Sequence, residues 1–361
     1  MIKYIGSKRL LIPHIVAAVN AFDDVNSVLD LFSGTSRVGQ AMKREGFTVH
    51  SNDHLTYAAT LARCYVQADR AQYLKRANEL IDSLNTVDGR DGYFTKTFCE
   101  EARYFQPKNG QRVDAIRDRI AELKLEPALE AIALTSLMEA ADRVDSTTGV
   151  QMAYLKKWAS RAYNDLSLRV PELIDGDGFV TQLDATDAAR TKVDLAYLDP
   201  PYNQHSYMGN YHVWETLVRW DKPDAYGVAM KRTECRDYKS DFNSKRRIDE
   251  ALRDVIQALN CRHVLLSFSN EGFVDADRMM EILRERWHVG YASIDFKRYV
   301  GAQIGVYNPS GDKVGEVSHL RNKELLFVAS DDEARVQNAL QAIQQSTAPN
   351  AENAALHGAA P

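Results

Sequence analysis

The chain has 361 residues, 45% hydrophobic and 26% charged, enough apolar material for one large α/β domain with a smaller companion. A net charge of −5 speaks against a protein that coats nucleic acid over its whole surface, although a local basic cleft would be averaged away in that figure. Cys64, Cys99, Cys235 and Cys261 form no CxxC pair and adjoin no His cluster, so neither a metal site nor a disulfide framework is expected, and this usage fits a reducing cytoplasm.

Residues 10–20 read as a short amphipathic helix. Lys3, Lys8 and Arg9 ahead of an apolar run resemble a secretory leader, but Pro13, His14 and Asn20 interrupt the run. No stretch reaches the ~18 apolar residues of a membrane span. Residues 25–31 read as a buried strand, 32–35 as a small-residue turn, 37–45 as a helix ended by Gly46, and 48–51 as a second strand. This order is half of a nucleotide-binding βαβ unit. Small residues in such a turn let backbone approach a cofactor closely, which marks Asp30, Phe32, Ser33, Gly34 and Thr35 as cofactor-side candidates. Asp53 follows the second strand, 19 residues after Gly34, where an acid commonly holds ribose hydroxyls. The chain has no GKS/T phosphate loop, which disfavours ATP.

From about 55 to 173 the pattern is helical. Val113, Ile116, Ile120 and Leu123 recur at three or four residues, and 128–141 is apolar on most sides. The simplest reading is a helical insert at 71–174 that divides a discontinuous catalytic domain of residues 1–70 and 175–335. Strand patterns return at 178–183 and 193–198, both as buried parallel strands. They continue at 263–268, 289–296 and 324–329, with a helix over 275–287 and the last two strands as an antiparallel edge. Residues 340–361 are expected to be a disordered tail.

The strongest chemical signal is Asp199-Pro200-Pro201-Tyr202, directly after the strand at 193–198. An Asp at the carboxyl end of a parallel strand lies where open α/β sheets bind ligands. The prolines fix the backbone and remove two donors, so carbonyls in the turn face outward. A carboxylate and a fixed carbonyl can both accept from one amino group, leaving the nitrogen lone pair free to attack an electrophilic methyl. The Tyr202 ring can stack on a base.

Taken in this order, the motifs resemble those of the D12-class, alpha-group DNA adenine methylases, the Dam-like family, in its restriction-modification branch. Lys3-Tyr4-Ile5-Gly6-Ser7-Lys8 is similar to the N-terminal cofactor motif, Phe32-Ser33-Gly34-Thr35 to the FxG loop, and Asp199 to Tyr202 to the catalytic motif. Residues 203–215 and 297–305 also look like that branch, and the resemblance covers about residues 1–330. One departure is Ser36, which stands where the family loop often has a second glycine. The resemblance implies a Rossmann-like α/β methyltransferase sheet with an inserted, mostly helical target-recognition region. It also implies S-adenosylmethionine as cofactor and N6 of an adenine in duplex DNA as target. Tyr4 and Lys8 would contact the cofactor, and Phe32, Ser33 and Gly34 would line its methionine end. Asp53 would hold the ribose, and Asp184 would meet the cofactor's adenine amine, with Asp187 as a competing candidate. Asp199 would accept from the target amine while Tyr202 stacks on the flipped base.

A buried carboxylate cannot reach a base inside a duplex, so the base must be flipped out and the backbone held by Lys and Arg. Residues 231–247 carry seven basic against three acidic side chains, a net of +4. Lys231, Arg232, Lys239, Lys245 and Arg246 are the candidates there, with Lys297 and Arg298 as a second basic group. Asn203, His205 and Tyr207 follow the catalytic turn closely enough to touch the base or order the loop. In the insert, Arg103, Lys108, Arg112, Lys156 and Lys157 could reach phosphate. The alternatives are an N4-cytosine methyltransferase and a catalytically idle DNA-binding or accessory protein. A cognate restriction endonuclease is a possible partner, and the chain is expected to act as a monomer or weak dimer.

Overall fold

The computed structural model describes residues 2–152, 157–297, 306–307, 313–315 and 321–346. A 3-10 turn at Lys8–Leu10 leads into helix α1 (Ile12–Asn20). Pro13 lies in its first turn, where a missing N–H breaks no helical hydrogen bond. The expected βαβ half follows as β1 (Ser27–Asp30), α2 (Arg37–Arg44) and β2 (Thr48–Asn52).

Next comes a helical stretch of α3 (Thr56–Ala62), α4 (Arg70–Asn85), α5 (Pro107–Leu123) and α6 (Pro127–Arg143). Pro107 and Pro127 open the last two, and π-helical turns occur at Arg63–Gln67 and Thr95–Glu101. The chain returns to the sheet through β3 (Gly178–Thr181), α7 (Ala185–Ala188) and β4 (Leu195–Leu198). After the Asp199–Tyr202 turn come α8 (Tyr207–Asn210), α9 (His212–Arg219) and a short hairpin, β5 (Ala225–Tyr226) and β6 (Lys231–Arg232). The remaining elements are α10 (Ile248–Ala258), β7 (His263–Ser269), α11 (Ala276–Arg284), β8 (His288–Lys297), β9 (Val306–Tyr307), β10 (Lys313–Gly315), β11 (Arg321–Ser330) and α12 (Glu333–Gln345).

Seven strands form one sheet in the order β3-β2-β1-β4-β7-β11-β8. The first five run parallel, and β11 lies antiparallel between β7 and β8. The antiparallel edge expected from 289–296 and 324–329 is therefore present, with the later strand inserted inside the earlier one. Strand order reverses at β1 and β4, so the crevice beyond their carboxyl ends is the natural ligand site of the sheet.

Alternating side chains explain the layers. Val28, Leu195, Tyr197, Leu265 and Leu326 pack with α1, α2 and α12 on one face. Leu29, Ala196, Leu198, Leu266 and Phe327 pack with α7, α10 and α11 on the other. β4 is buried at every residue, as a central parallel strand must be when both faces are covered.

A third apolar core fills the helical stretch with Tyr57, Leu61, Phe94, Phe98, Ile116, Ile132 and Leu137. It also takes in Ile2 and, from the segment after the Asp199–Tyr202 turn, Met208, Tyr211, Trp214 and Leu217. The helical layer thus extends beyond the boundaries read at 71–174. The amphipathic α9 shares its apolar face with α3 and α6. Among the described residues no helix is long and apolar enough to cross a membrane, and no cluster of three or more His, Cys, Asp or Glu could hold a metal.

Candidate active site

The turn between β1 and α2 is held by two acids, Asp30 at its start and Asp53 from beyond β2. Asp30 closes β1, is 1% exposed, and its Oδ2 accepts from Gly39 N at 3.0 Å. A Cβ at Gly39 would lie 2.9 Å from both Ser51 Oγ and Val66 Cγ2, so only glycine lets α2 approach the sheet this closely. Burial pushes the Asp30 carboxyl up to about 7. Asp53 follows β2 and ties down the turn: Oδ2 accepts from Gly34 N at 2.8 Å and Oδ1 from Leu55 N at 3.0 Å. Burial raises it to about 6 against those two donors. Each of its oxygens keeps a lone pair for a hydroxyl.

Gly34 has φ +49, and its open side faces the Tyr4 ring, with Tyr4 Oη 3.3 Å from where a Cβ would stand. Ser36, at the departure from the family loop, also has positive φ, 58°, and is wholly buried. The second glycine of the family pattern thus corresponds to a left-handed residue here, and serine bears the strain.

The second half of the site hangs from β4. Asp199 follows Leu198, and two donors converge on one of its oxygens. Lys8 Nζ lies 3.0 Å from Oδ1, and Ser267 Oγ donates to the same atom at 3.2 Å. Ser267 in turn bonds Tyr197 Oη at 2.8 Å. Both donors therefore leave Oδ2 available on a side chain that remains 21% exposed. Burial raises the Asp199 carboxyl, with Lys8 and Ser267 acting against it. Burial alone would lower the Lys8 ammonium, but Asp199 and Glu324, the latter 3.7 Å away, outweigh it and hold Lys8 charged. Lys8 thus touches the Asp199 carboxylate and also lines the adjoining cavity.

These residues surround a cavity of about 380 Å³, within the range of a nucleoside-sized ligand. Tyr4, Lys8, Asp30, Phe32, Ser33, Gly34, Thr35, Asp53, Asp184, Asp199, Pro201, Tyr207 and Lys239 all line it. Asp184 does so while capping α7, Oδ1 accepting from Thr186 N at 2.9 Å. Asp187 lies outside the lining. Ser33 Oγ is buried without a hydrogen-bond partner, an unmet demand that a polar ligand can satisfy. Acids at Asp53 and Asp184, apolar walls from Phe32, Leu55 and Leu183, and the unpaired Ser33 hydroxyl fit a sulfonium nucleoside.

Pro200 is buried behind the lining. Tyr202 stands edge-on to Phe268, ring centroids 5.6 Å apart, and its carbonyl accepts from Phe273 N at 2.9 Å. Tyr207 belongs to a ring stack. Tyr4 lies 5.3 Å from it and 4.6 Å from Tyr211, with interplanar angles of 16° and 17°. Asn203 Oδ1 accepts from His205 N at 3.0 Å, so that side chain orders its own loop.

Further residues reach the cavity from segments read in the sequence for other roles. Tyr238, Phe242 and Asn243 come from the basic segment, and Leu183 precedes Asp184. Phe242 packs edge-on against Phe32 at 5.3 Å. Asn243 Nδ2 donates to the carbonyls of Asn203 at 2.7 Å and His205 at 3.2 Å, bracing the catalytic loop. The aromatic residues between charges in 238–242 were a usable signal; an isolated Asn carried none.

The basic candidates divide. Lys239, Lys245 and Arg246 are exposed, and Lys231 is half-buried. Arg232 is a correction. It is 1% exposed and bonds both oxygens of Asp221 at 2.7 and 2.6 Å and Glu234 at 2.9 Å. Its donors are consumed internally, so it anchors the hairpin instead of facing phosphate. Lys108 pairs with Asp165 at 2.6 Å, and Arg112 donates to the Asn85 carbonyl at 3.0 Å. Lys297 ends β8. Arg298 and Lys156 lie outside the described residues, as do 347–361, whereas residues 340–345, read as part of a disordered tail, instead continue α12.

Residues 4–282 match the family model described as D12 class N6 adenine-specific DNA methyltransferase. The chain is 32% identical over 302 residues to the modification methylase StsI of Streptococcus sanguinis, covering 78% of this chain and 46% of that one. It is 29% identical over 309 residues to the type II methyltransferase M.FokI of Planomicrobium okeanokoites, with coverage of 78% and 46%. It therefore spans about half the length of both. Against the type II methyltransferase M.NlaIII of Neisseria lactamica the identity is 30% over 339 residues, covering 89% of this chain and 99% of that one. The family match runs from Tyr4 beside the cavity, through both acid-bearing turns and Asp199, into α11: this chain belongs to the D12 class of N6 adenine-specific DNA methyltransferases.

Proposed function

We propose that the protein transfers a methyl group from S-adenosylmethionine to N6 of an adenine flipped out of duplex DNA, at a specific site. The observation that carries this reading is the free Oδ2 of Asp199 at a cavity wall whose other acids suit a nucleoside. S-adenosylmethionine supplies an electrophilic methyl group on a sulfonium. Asp53 holds its ribose, Asp184 its adenine amine, and Phe32, Ser33 and Gly34 its methionine end. Oδ2 of Asp199 and a carbonyl of the Pro200-Pro201 turn accept from the target amine, which aligns its lone pair. Tyr202 stacks on the extruded base. Lys239, Lys245 and Arg246 face the phosphates, with Lys231, Asn203 and His205 nearer the base. The helical layer bears on target recognition. The relatives are named modification or type II methyltransferases, which supports a restriction-modification setting with a cognate endonuclease in the cytoplasm. A monomer or weak dimer suffices for these contacts.

Replacing Asp199 with Ala tests the reading. Methylation should fall by at least about 10²-fold, while calorimetry still registers S-adenosylmethionine binding. Full activity in that variant would overturn the assignment. Mass analysis of nucleosides from treated DNA should find N6-methyladenine, and N4-methylcytosine in its place would change the target base. Absence of cofactor binding by the unaltered protein would make it an idle DNA-binding protein.

A further inference from the structure

Glu324 stands in β11 opposite Ser269 of β7 and Ile294 of β8. Because β11 runs antiparallel, its early residues lie at the carboxyl end of β7, beside the catalytic turn. The Glu324 side chain is 15% exposed, and Oε2 lies 3.7 Å from Lys8 Nζ. That oxygen is buried and has no hydrogen-bond partner. A carboxylate so placed costs free energy unless a charge compensates it or the site uses it. Lys8 is the compensating charge, and Lys8 is shared with Asp199. Two carboxylates therefore meet one ammonium, leaving one surplus negative charge where the target amine must sit.

We infer that Glu324 is a positioning residue of the methylating centre: it holds Lys8 on Oδ1 of Asp199, keeps Oδ2 open for the amine, and supplies the surplus negative charge. The charge has a use. As the nitrogen–methyl bond forms and the sulfur–methyl bond breaks, positive charge passes from sulfur to the amine nitrogen. It stays there until the nitrogen releases a proton to water. A fixed negative group beside that nitrogen stabilises the transition state more than the neutral amine. Lys8 cannot cancel both carboxylates, and Ser267 reaches only Asp199. The other titratable groups facing the pair are Tyr202 of the catalytic turn and Tyr207 of α8, with Asp30 of β1 and Tyr197 of β4 behind Asp199. The tyrosines are held neutral by burial.

The inference rests on amine methylation, so the unaltered protein is assayed alongside the variants. In Glu324→Gln, kcat should fall about 10-fold, with little change in KM for DNA or cofactor. Asp199 must be ionised to accept from the amine and Glu324 to supply its charge, and burial raises both, so the acid limb of the kcat–pH profile belongs to the pair. Removing the like charge of Glu324 eases the ionisation of Asp199, and the limb should move to lower pH. Lys8→Gln removes the opposite charge and should move the limb the other way. Glu324→Asp retains the charge and should recover most of the rate with the limb unmoved. An unchanged rate and profile in Glu324→Gln would overturn the inference, as would a rate loss with a stationary limb. No methylation by the unaltered protein would instead defeat the amine-methylation reading.

Discussion

Asp199 shows how one side chain is prepared by three others from distant parts of the chain and by a near neighbour. Lys8 and Ser267 occupy Oδ1, Glu324 stands behind Lys8, and Tyr197 braces Ser267. Motif order made Asp199 and Lys8 recognisable as site residues. It could not reveal that they touch, because a side-chain pair 191 residues apart leaves no local periodicity. Ser36 is the residue at which the family loop was locally broken. Its φ of 58° costs an L-residue roughly 1–2 kcal/mol relative to a right-handed one, and its Oγ is buried without a partner. Ser36→Gly should relieve both, offset in part by greater freedom of the unfolded chain. A net gain of about 1 kcal/mol, read as a higher midpoint in chemical denaturation, is expected; a loss would show that the hydroxyl contributes to the fold.

At the scale of elements, the strand-to-helix turns carry the chemistry because parallel strands deliver their carboxyl ends to one crevice. β1 and β4 are adjacent, so Asp30 pairs in register with Tyr197, two residues before Asp199. Asp184 or Asp187 could not be chosen by counting. α7 places them differently: Asp184 caps it at the cavity, while Asp187 sits in its first turn outside the lining. Asp184→Ala should remove a cap worth about 1 kcal/mol and weaken S-adenosylmethionine binding by about 10-fold, the loss of one hydrogen bond to a charged group. Asp187→Ala should leave binding unchanged. Isothermal titration of the two variants decides, and equal affinities would remove Asp184 from the cofactor contacts.

Over the whole molecule, charge is partitioned more finely than composition suggests. A chain of net −5 contains a segment of +4 at 231–247, but the segment is not uniform. Arg232 is locked between Asp221 and Glu234 inside the hairpin, while Lys245 and Arg246 project to solvent. Arg232→Ala would leave Asp221 and Glu234 to Arg219 alone and, with both acids about a third exposed, should cost about 1–2 kcal/mol of stability. Replacing Lys245 and Arg246 with Ala should leave stability nearly unchanged. It should also make DNA binding less sensitive to salt, the log–log slope falling by about one for each phosphate that the variant no longer neutralises. A melting series and binding isotherms at several salt concentrations separate the two. A drop in DNA affinity for Arg232→Ala at full stability would reverse the assignment.

The class is legible from local patterns in a fixed order: the βαβ start, the Asp199-Pro200-Pro201-Tyr202 turn, Asp53 and the N-terminal Lys-Tyr segment. Helix and strand periodicities follow from side-chain direction along one element, so they survive without the fold. Contacts between distant segments leave no such local pattern and emerge in the folded chain. Folding seated β11 between β7 and β8, brought Glu324 to Lys8, and buried Arg232 among acids. It also joined the helical layer to α9 in one core and made Asn243 the brace of the catalytic loop. These outcomes are set by packing and charge compensation between residues far apart along the chain.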